Sequence, residues 1–123
     1  MILVIEDDQD VQLIVETALT EGGFEVAIAA SGEEAVTLFK GNAAPYCALV
    51  TDINLAGRLD GWEVARSLRE VAPEFPIIYM TGAAADQWTS RGVPNSVLLS
   101  KPFAPAQLVT AISQLLNAGT PPE

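Results

Sequence analysis

Short apolar runs alternate five times with longer stretches in which apolar residues recur at three- and four-residue spacing. The runs are Ile2–Ile5, Glu25–Ala29, Ala48–Thr51, Ile77–Met80 and Val97–Leu99, and they read as buried strands. Val11, Ile14, Val15, Ala18 and Leu19 mark one face of a first helix, closed by Gly22-Gly23, which tolerate positive φ. A second helix opens on Ser31-Gly32-Glu33-Glu34, a capping-box pattern, buries Ala35, Leu38 and Phe39, and stops at Gly41. The third carries Val64, Ala65, Leu68, Val71 and Ala72 and ends before Pro73. Ala83 to Arg91 is short and weakly patterned. The last helix starts near Pro105 and shows Leu108, Ala111, Ile112, Leu115 and Leu116.

Five β-α units predict an α/β fold: a doubly wound, five-stranded parallel sheet with helices on both faces and right-handed crossovers. A chain of 123 residues fits one domain, here residues 1–118, with 119–123 as a flexible tail. In such sheets ligands bind beyond the carboxyl ends of the strands, where strand order reverses. Those ends carry the chemistry. Glu6, Asp7 and Asp8 follow the first strand, and Asp52, Ile53 and Asn54 the third; Thr81-Gly82 ends the fourth and Ser100-Lys101-Pro102-Phe103 the fifth. With strand order 2-1-3-4-5 the acids of strands one and three converge.

Two carboxylates about 4 Å apart repel by roughly 4 kcal/mol at an effective dielectric near 20. Three in one site raise one another's pKa values or recruit a cation. Oxygen donors without thiol or imidazole select a hard ion, and Mg²⁺ suits a few carboxylates with water and phosphate. Lys101 and Thr81 are placed to contact phosphoryl oxygens, and Asp52 to act as a nucleophile that forms an acyl phosphate.

Leu3-Val4-Ile5-Glu6-Asp7-Asp8, Ala48 to Leu55, Asp60-Gly61, Thr81-Gly82 and Lys101-Pro102-Phe103 together resemble the receiver domains of two-component response regulators. The likeness covers the chain from Ile2 to Leu116 and implies a flavodoxin-like (βα)5 fold. It implies that Glu6 and Asp7 bind Mg²⁺, with Glu6 often acting through water, and that the Asn54 backbone carbonyl completes the metal shell. Asp52 corresponds to the phosphoacceptor, Thr81 to the switch hydroxyl and Lys101 to the phosphate-pairing lysine. The Lys101-Pro102 bond is expected to be cis. The implied donor is a histidine of a partner kinase or phosphotransfer protein, and the implied role is a single-domain phosphorelay regulator that catalyses only its own phosphorylation and dephosphorylation.

Three departures stand out. Glu6 replaces the commoner Asp. The segment between Asp52 and Asp60-Gly61 is one residue longer than usual, with Ala56 where proline is common. Leu98 occupies the position of the usual switch aromatic, so coupling from Thr81 to that ring does not operate in its usual form.

Composition sharpens this reading. The 16 acids against 6 bases, a formal charge of −10, disfavour nucleic acid and anionic membranes as partners. Nine of the acids precede Lys40 with no base among them. The absence of histidine means that the chain supplies no histidine base, imidazole ligand or phosphohistidine, so a donor imidazole must come from elsewhere. The N-terminus has no basic region before its apolar run and reads as no signal peptide; with the lone Cys47, read as a buried thiol, this points to the cytoplasm.

Asp10 reads as the cap of the first helix and Asp8 as a solvated loop charge. Trp62 and Trp88 read as packing or surface residues. Pro102 to Pro122 contains no charged residue; Gln107, Thr110, Ser113, Gln114 and Asn117 form a solvated face there, with a homodimer or docking surface as the alternative. Among other functions, an aspartate-nucleophile phosphatase needs an acid two residues after the nucleophile, where this chain has Asn54. A non-phosphorylated scaffold is disfavoured by the intact set of Glu6, Asp7, Asp52, Thr81 and Lys101. A flavin carrier is disfavoured by acids that repel phosphate.

Overall fold

The computed structural model describes residues 1–83 and 85–118; the expected tail, 119–123, lies outside the described residues. The elements in order are β1 (Ile2–Ile5), α1 (Gln9–Glu21), β2 (Val26–Ala29), α2 (Gly32–Gly41), β3 (Ala48–Asp52), α3 (Gly61–Val71), β4 (Ile77–Thr81), a 3₁₀ turn at Ala85–Gln87 running into α4 (Trp88–Arg91), β5 (Val97–Ser100) and α5 (Pro105–Ala118). The strands form one parallel sheet in the order β2-β1-β3-β4-β5, the expected order under which the acids of β1 and β3 converge. No helix among the described residues is long and apolar enough to cross a membrane.

The central strands are apolar on both faces because each face is covered. Leu3, Ile5, Leu49, Ile77 and Tyr79 point to one side and pack with Ala35, Phe39, Val64, Ala65 and Leu68 of α2 and α3. Ile2, Val4, Val50, Ile78 and Met80 point to the other, against Val15 and Leu19 of α1 and Leu108 and Ile112 of α5. Period-two alternation along each strand thus builds two cores separated by one sheet.

Local details depart from the sequence reading in a few places. Asp8, not Asp10, caps α1: its carboxylate accepts from the Asp10 and Val11 N–H groups, because Asp8 has the extended backbone a cap requires. Ile14 is 50% exposed, so the buried stripe of α1 is Val15, Ala18 and Leu19. Leu38 and Val71 are likewise exposed at the rims of α2 and α3. The box at α2 is half closed: Ser31 Oγ accepts from Glu34 N–H, but the Glu34 carboxylate accepts from Ala30 N–H instead. A complete box caps α3, where Asp60 and Glu63 exchange side-chain and backbone bonds. Glu25 precedes β2 and offers its carbonyl to Ile2 N–H at 2.7 Å. Cys47 is half-buried rather than buried, its Sγ beside the Met1 backbone. On α5, Gln107, Thr110, Gln114 and Asn117 are exposed and Ser113 is half-buried.

Candidate functional site

Register brings the acids together. Ile5 is level with Thr51 across the β1–β3 ladder, so the next residues, Glu6 and Asp52, leave the sheet side by side. Thr81 is level with Ser100, and Lys101 N–H donates to the Thr81 carbonyl at 2.7 Å, carrying the β4–β5 ladder one step further. The Lys101-Pro102 bond is cis, as expected. Donor oxygens of Glu6, Asp7 and Asp52 lie within 4.8 Å of one another.

Glu6 is 1% exposed and both its oxygens are engaged: Oε1 accepts from Asp8 N–H at 3.1 Å, and Oε2 from Lys101 Nζ at 3.0 Å. The Gln12 side-chain amide donates to the Glu6 carbonyl, tying α1 to the end of β1. Lys101 Nζ also lies 3.2 Å from Asp52 Oδ2. Burial pushes the Glu6 carboxyl above its ordinary value, against the opposing pull of the Asp8 amide and Lys101. Burial pulls Lys101 down, but Glu6 and Asp52 together outweigh it, and the ammonium is held above its ordinary value. Asp7 is exposed and its Oδ2 accepts from Ala56 N–H at 3.3 Å.

The third strand and α3 meet very closely behind Asp52. A Cβ on Gly61 would stand 2.4 Å from the Asp52 carbonyl oxygen and 2.8 Å from Ile53 Cα. Gly61 N–H donates to the Ile53 carbonyl at 2.8 Å, closing the loop that leaves β3. The Asp60-Gly61 pair therefore has two local tasks, capping α3 and letting it approach the strand end. Thr81 Oγ1 accepts from Ala83 N–H at 3.2 Å. Asn54 is exposed on the loop just after Asp52.

The model of the response regulator receiver domain matches residues 2–113. The chain belongs to this family. A response regulator receiver protein of known structure from Sinorhizobium medicae is 48% identical, with a TM-score of 0.92 over 95% of this chain and 94% of that one. "Probable transcriptional regulator ycf27" of Cyanophora paradoxa is 36% identical over 94% of this chain and 48% of its own length. Response regulator MprA of a Mycobacterium species is 33% identical over 99% of this chain and 53% of its own. The chain thus spans about half the length of the curated relatives it matches.

Tyr79 and Trp62 of this receiver lie on the same side of the sheet as Leu98. Leu98 is level with Tyr79 of β4 and packs on the α2–α3 side of the sheet. Tyr79 is fully buried, and its hydroxyl accepts from Val93 N–H at 3.0 Å. Trp62, also buried, lies against it with ring centroids 4.7 Å apart. The Arg91 guanidinium stands 5.9 Å from the Trp62 ring centroid and 3.5 Å from Asp60 Oδ2. Trp88 sits at the surface and donates from Nε1 to Ser96 Oγ.

The sequence reading missed Glu33. Its Oε1 accepts from the N–H groups of Arg58 and Leu59, at 2.9 and 2.6 Å, in the loop between β3 and α3. The available hint was Gly57, a glycine in a loop that a carboxylate approaches closely.

Proposed function

We propose that Asp52 accepts a phosphoryl group from a histidine of a partner kinase or phosphotransfer protein, in a Mg²⁺-dependent reaction that alters contacts with a downstream protein. The observation that carries this reading is the placement of Asp52 Oδ2 3.2 Å from Lys101 Nζ, with Glu6 and Asp7 oxygens within 4.8 Å. The donor set is all oxygen and strongly acidic, which fits a hard divalent ion. Glu6, Asp7, Asp52 and the Asn54 carbonyl would hold it; with both oxygens of Glu6 already engaged, contact through water suits that residue. When bound, Mg²⁺ neutralises charge on the phosphoryl oxygens.

An Asp52 carboxylate oxygen attacks phosphorus and forms the acyl phosphate. The P–N bond to the donor imidazole breaks, and its electron pair stays on that nitrogen. Lys101, now beside Asp52, pairs with the added phosphoryl oxygens, and Thr81 offers its hydroxyl from the neighbouring strand end. Residues 1–118 form the phosphoacceptor unit, which turns over only its own phosphoryl group. The Asn54 amide is too weak an acid to protonate a leaving group, which disfavours a phosphatase acting on other substrates. The lone half-buried thiol of Cys47 suits the cytoplasm.

The test is phosphorylation by acetyl phosphate with Mg²⁺, followed by intact mass. Wild type should gain one phosphoryl group, removable by hydroxylamine, and Asp52→Asn should gain none. Equal labelling of the two proteins would overturn the assignment.

A further inference from the structure

The loop from Ile53 to Asp60 is held by side chains that come from other parts of the fold. Its base is closed by Gly61 N–H on the Ile53 carbonyl. Ala56 N–H rests on Asp7 at a long 3.3 Å. Beyond that, Arg58 and Leu59 N–H both donate to one oxygen of Glu33, from the first turn of α2, and the Leu59 bond is short at 2.6 Å. The fit around this carboxylate is tight. Gly57 has φ +101°, and a Cβ there would stand 2.7 Å from Glu33 Oε2. One residue before Glu33, a Cβ on Gly32 would stand 3.0 Å from the Leu59 carbonyl oxygen and 2.7 Å from Val64 Cγ2. Both partners of the contact thus need glycine to come this close.

We infer that Glu33 is a positioning residue for the phosphoryl-acceptor site: its carboxylate clasps the loop and fixes where the Asn54 carbonyl stands. This rests on the metal role of Asp7 and Asn54 proposed above. The Ala56 N–H tether to Asp7 is long at 3.3 Å, whereas Glu33 holds the Arg58 and Leu59 N–H groups at 2.9 and 2.6 Å, so these two residues are the firm anchors of the loop, four and five residues after Asn54. Carboxylates that orient a metal site through its supporting shell act in this way.

Mg²⁺ alone is titrated calorimetrically into wild type, Glu33→Ala, Glu33→Gln and Glu34→Ala, and amide hydrogen exchange is followed without metal. Glu33→Ala should weaken Mg²⁺ binding by about tenfold and speed exchange at Arg58 and Leu59 by a similar factor. Glu33→Gln should recover most of both, because its amide oxygen accepts the same N–H bonds. Glu34→Ala, altered on the same helical turn, should bind Mg²⁺ like wild type. Folded Glu33→Ala with wild-type affinity, equal losses in the Ala and Gln variants, or unprotected Arg58 and Leu59 amides in wild type would each overturn the role. Wild type that takes up no Mg²⁺ sinks the metal reading and this role with it, whereas normal wild-type binding with an unimpaired Glu33→Ala sinks the role alone.

Discussion

Lys101 Nζ lies 3.2 Å from Asp52 Oδ2 while the same nitrogen bonds to the buried Glu6 at 3.0 Å. One ammonium therefore pairs with two carboxylates at the end of the sheet. Removing it leaves both acids uncompensated where water is scarce. Lys101→Met should destabilise the metal-free protein by about 3 kcal/mol, the low end for breaking a buried pair, since Lys101 itself keeps some solvent contact. Urea unfolding with and without Mg²⁺ checks this. The added cation should recover more stability in the variant than in wild type; equal recovery would show that the three groups are not electrostatically coupled.

Asp7→Asn should lose most of the unfolding free energy that Mg²⁺ adds to wild type. Without metal the same variant should be more stable than wild type by about 1 kcal/mol, the water-like limit for a contact between charges at such distances, because Asp7 is exposed. The asparagine oxygen can still accept from Ala56 N–H, so the substitution removes repulsion without removing that tether. An acid with a purely structural role would show the opposite sign.

Two glycine-to-alanine changes should have opposite effects. A Cβ at Gly61 meets backbone atoms of Asp52 and Ile53 at 2.4 and 2.8 Å, and backbone cannot turn aside as a side chain can. Gly61→Ala should cost about 3 kcal/mol by overpacking and should also slow phosphorylation of the displaced Asp52. Gly41, the last residue of α2, has nothing within 4 Å of such a Cβ. Gly41→Ala should stabilise by about 0.5 kcal/mol through the unfolded chain. Urea midpoints of the two variants measure both.

The strand ends were legible because each strand is a short apolar run ended by polar chemistry, and parallel order then forces Glu6, Asp52, Thr81 and Lys101 to one edge. Helix faces were less so. Ile14, Leu38 and Val71 fit the apolar spacing but sit at the rims of their stripes, and periodicity cannot tell a rim from a centre. The choice between Asp8 and Asp10 as cap depended on which one takes extended backbone, which composition does not encode. Glu33 was hidden for another reason. Its partners are main-chain N–H groups some 25 residues away, and any residue type presents those groups.

Tyr79 offers a test of the buried Tyr79–Trp62 pair. Its hydroxyl is the acceptor for the buried Val93 N–H, at 3.0 Å. Tyr79→Phe keeps the ring against Trp62 and strands that N–H, which should cost about 1–2 kcal/mol. Amide exchange at Val93 should accelerate in step with the loss of stability. Unchanged exchange at Val93 would mean that another acceptor takes the bond.

The clasp on the loop also predicts a pH dependence. The Glu33 carboxyl is held below its ordinary value of 4.5, first by the Leu59 N–H, with burial pulling the other way and the Arg58 amide and charge adding to the depression. A carboxyl depressed in the folded state binds fewer protons there than in the unfolded chain, so its contribution is fully present above the unfolded pKa and is lost as pH falls through the folded one. Glu33→Gln does not titrate. The difference in unfolding free energy between wild type and Glu33→Gln should therefore be flat above about pH 6, then shrink as pH falls through 4.5 and below. Denaturant unfolding of both proteins across that range measures the difference directly, and comparing two variants at each pH cancels the other acids. A difference that stays constant down to low pH would show that the Arg58 and Leu59 amides do not hold the carboxylate in solution.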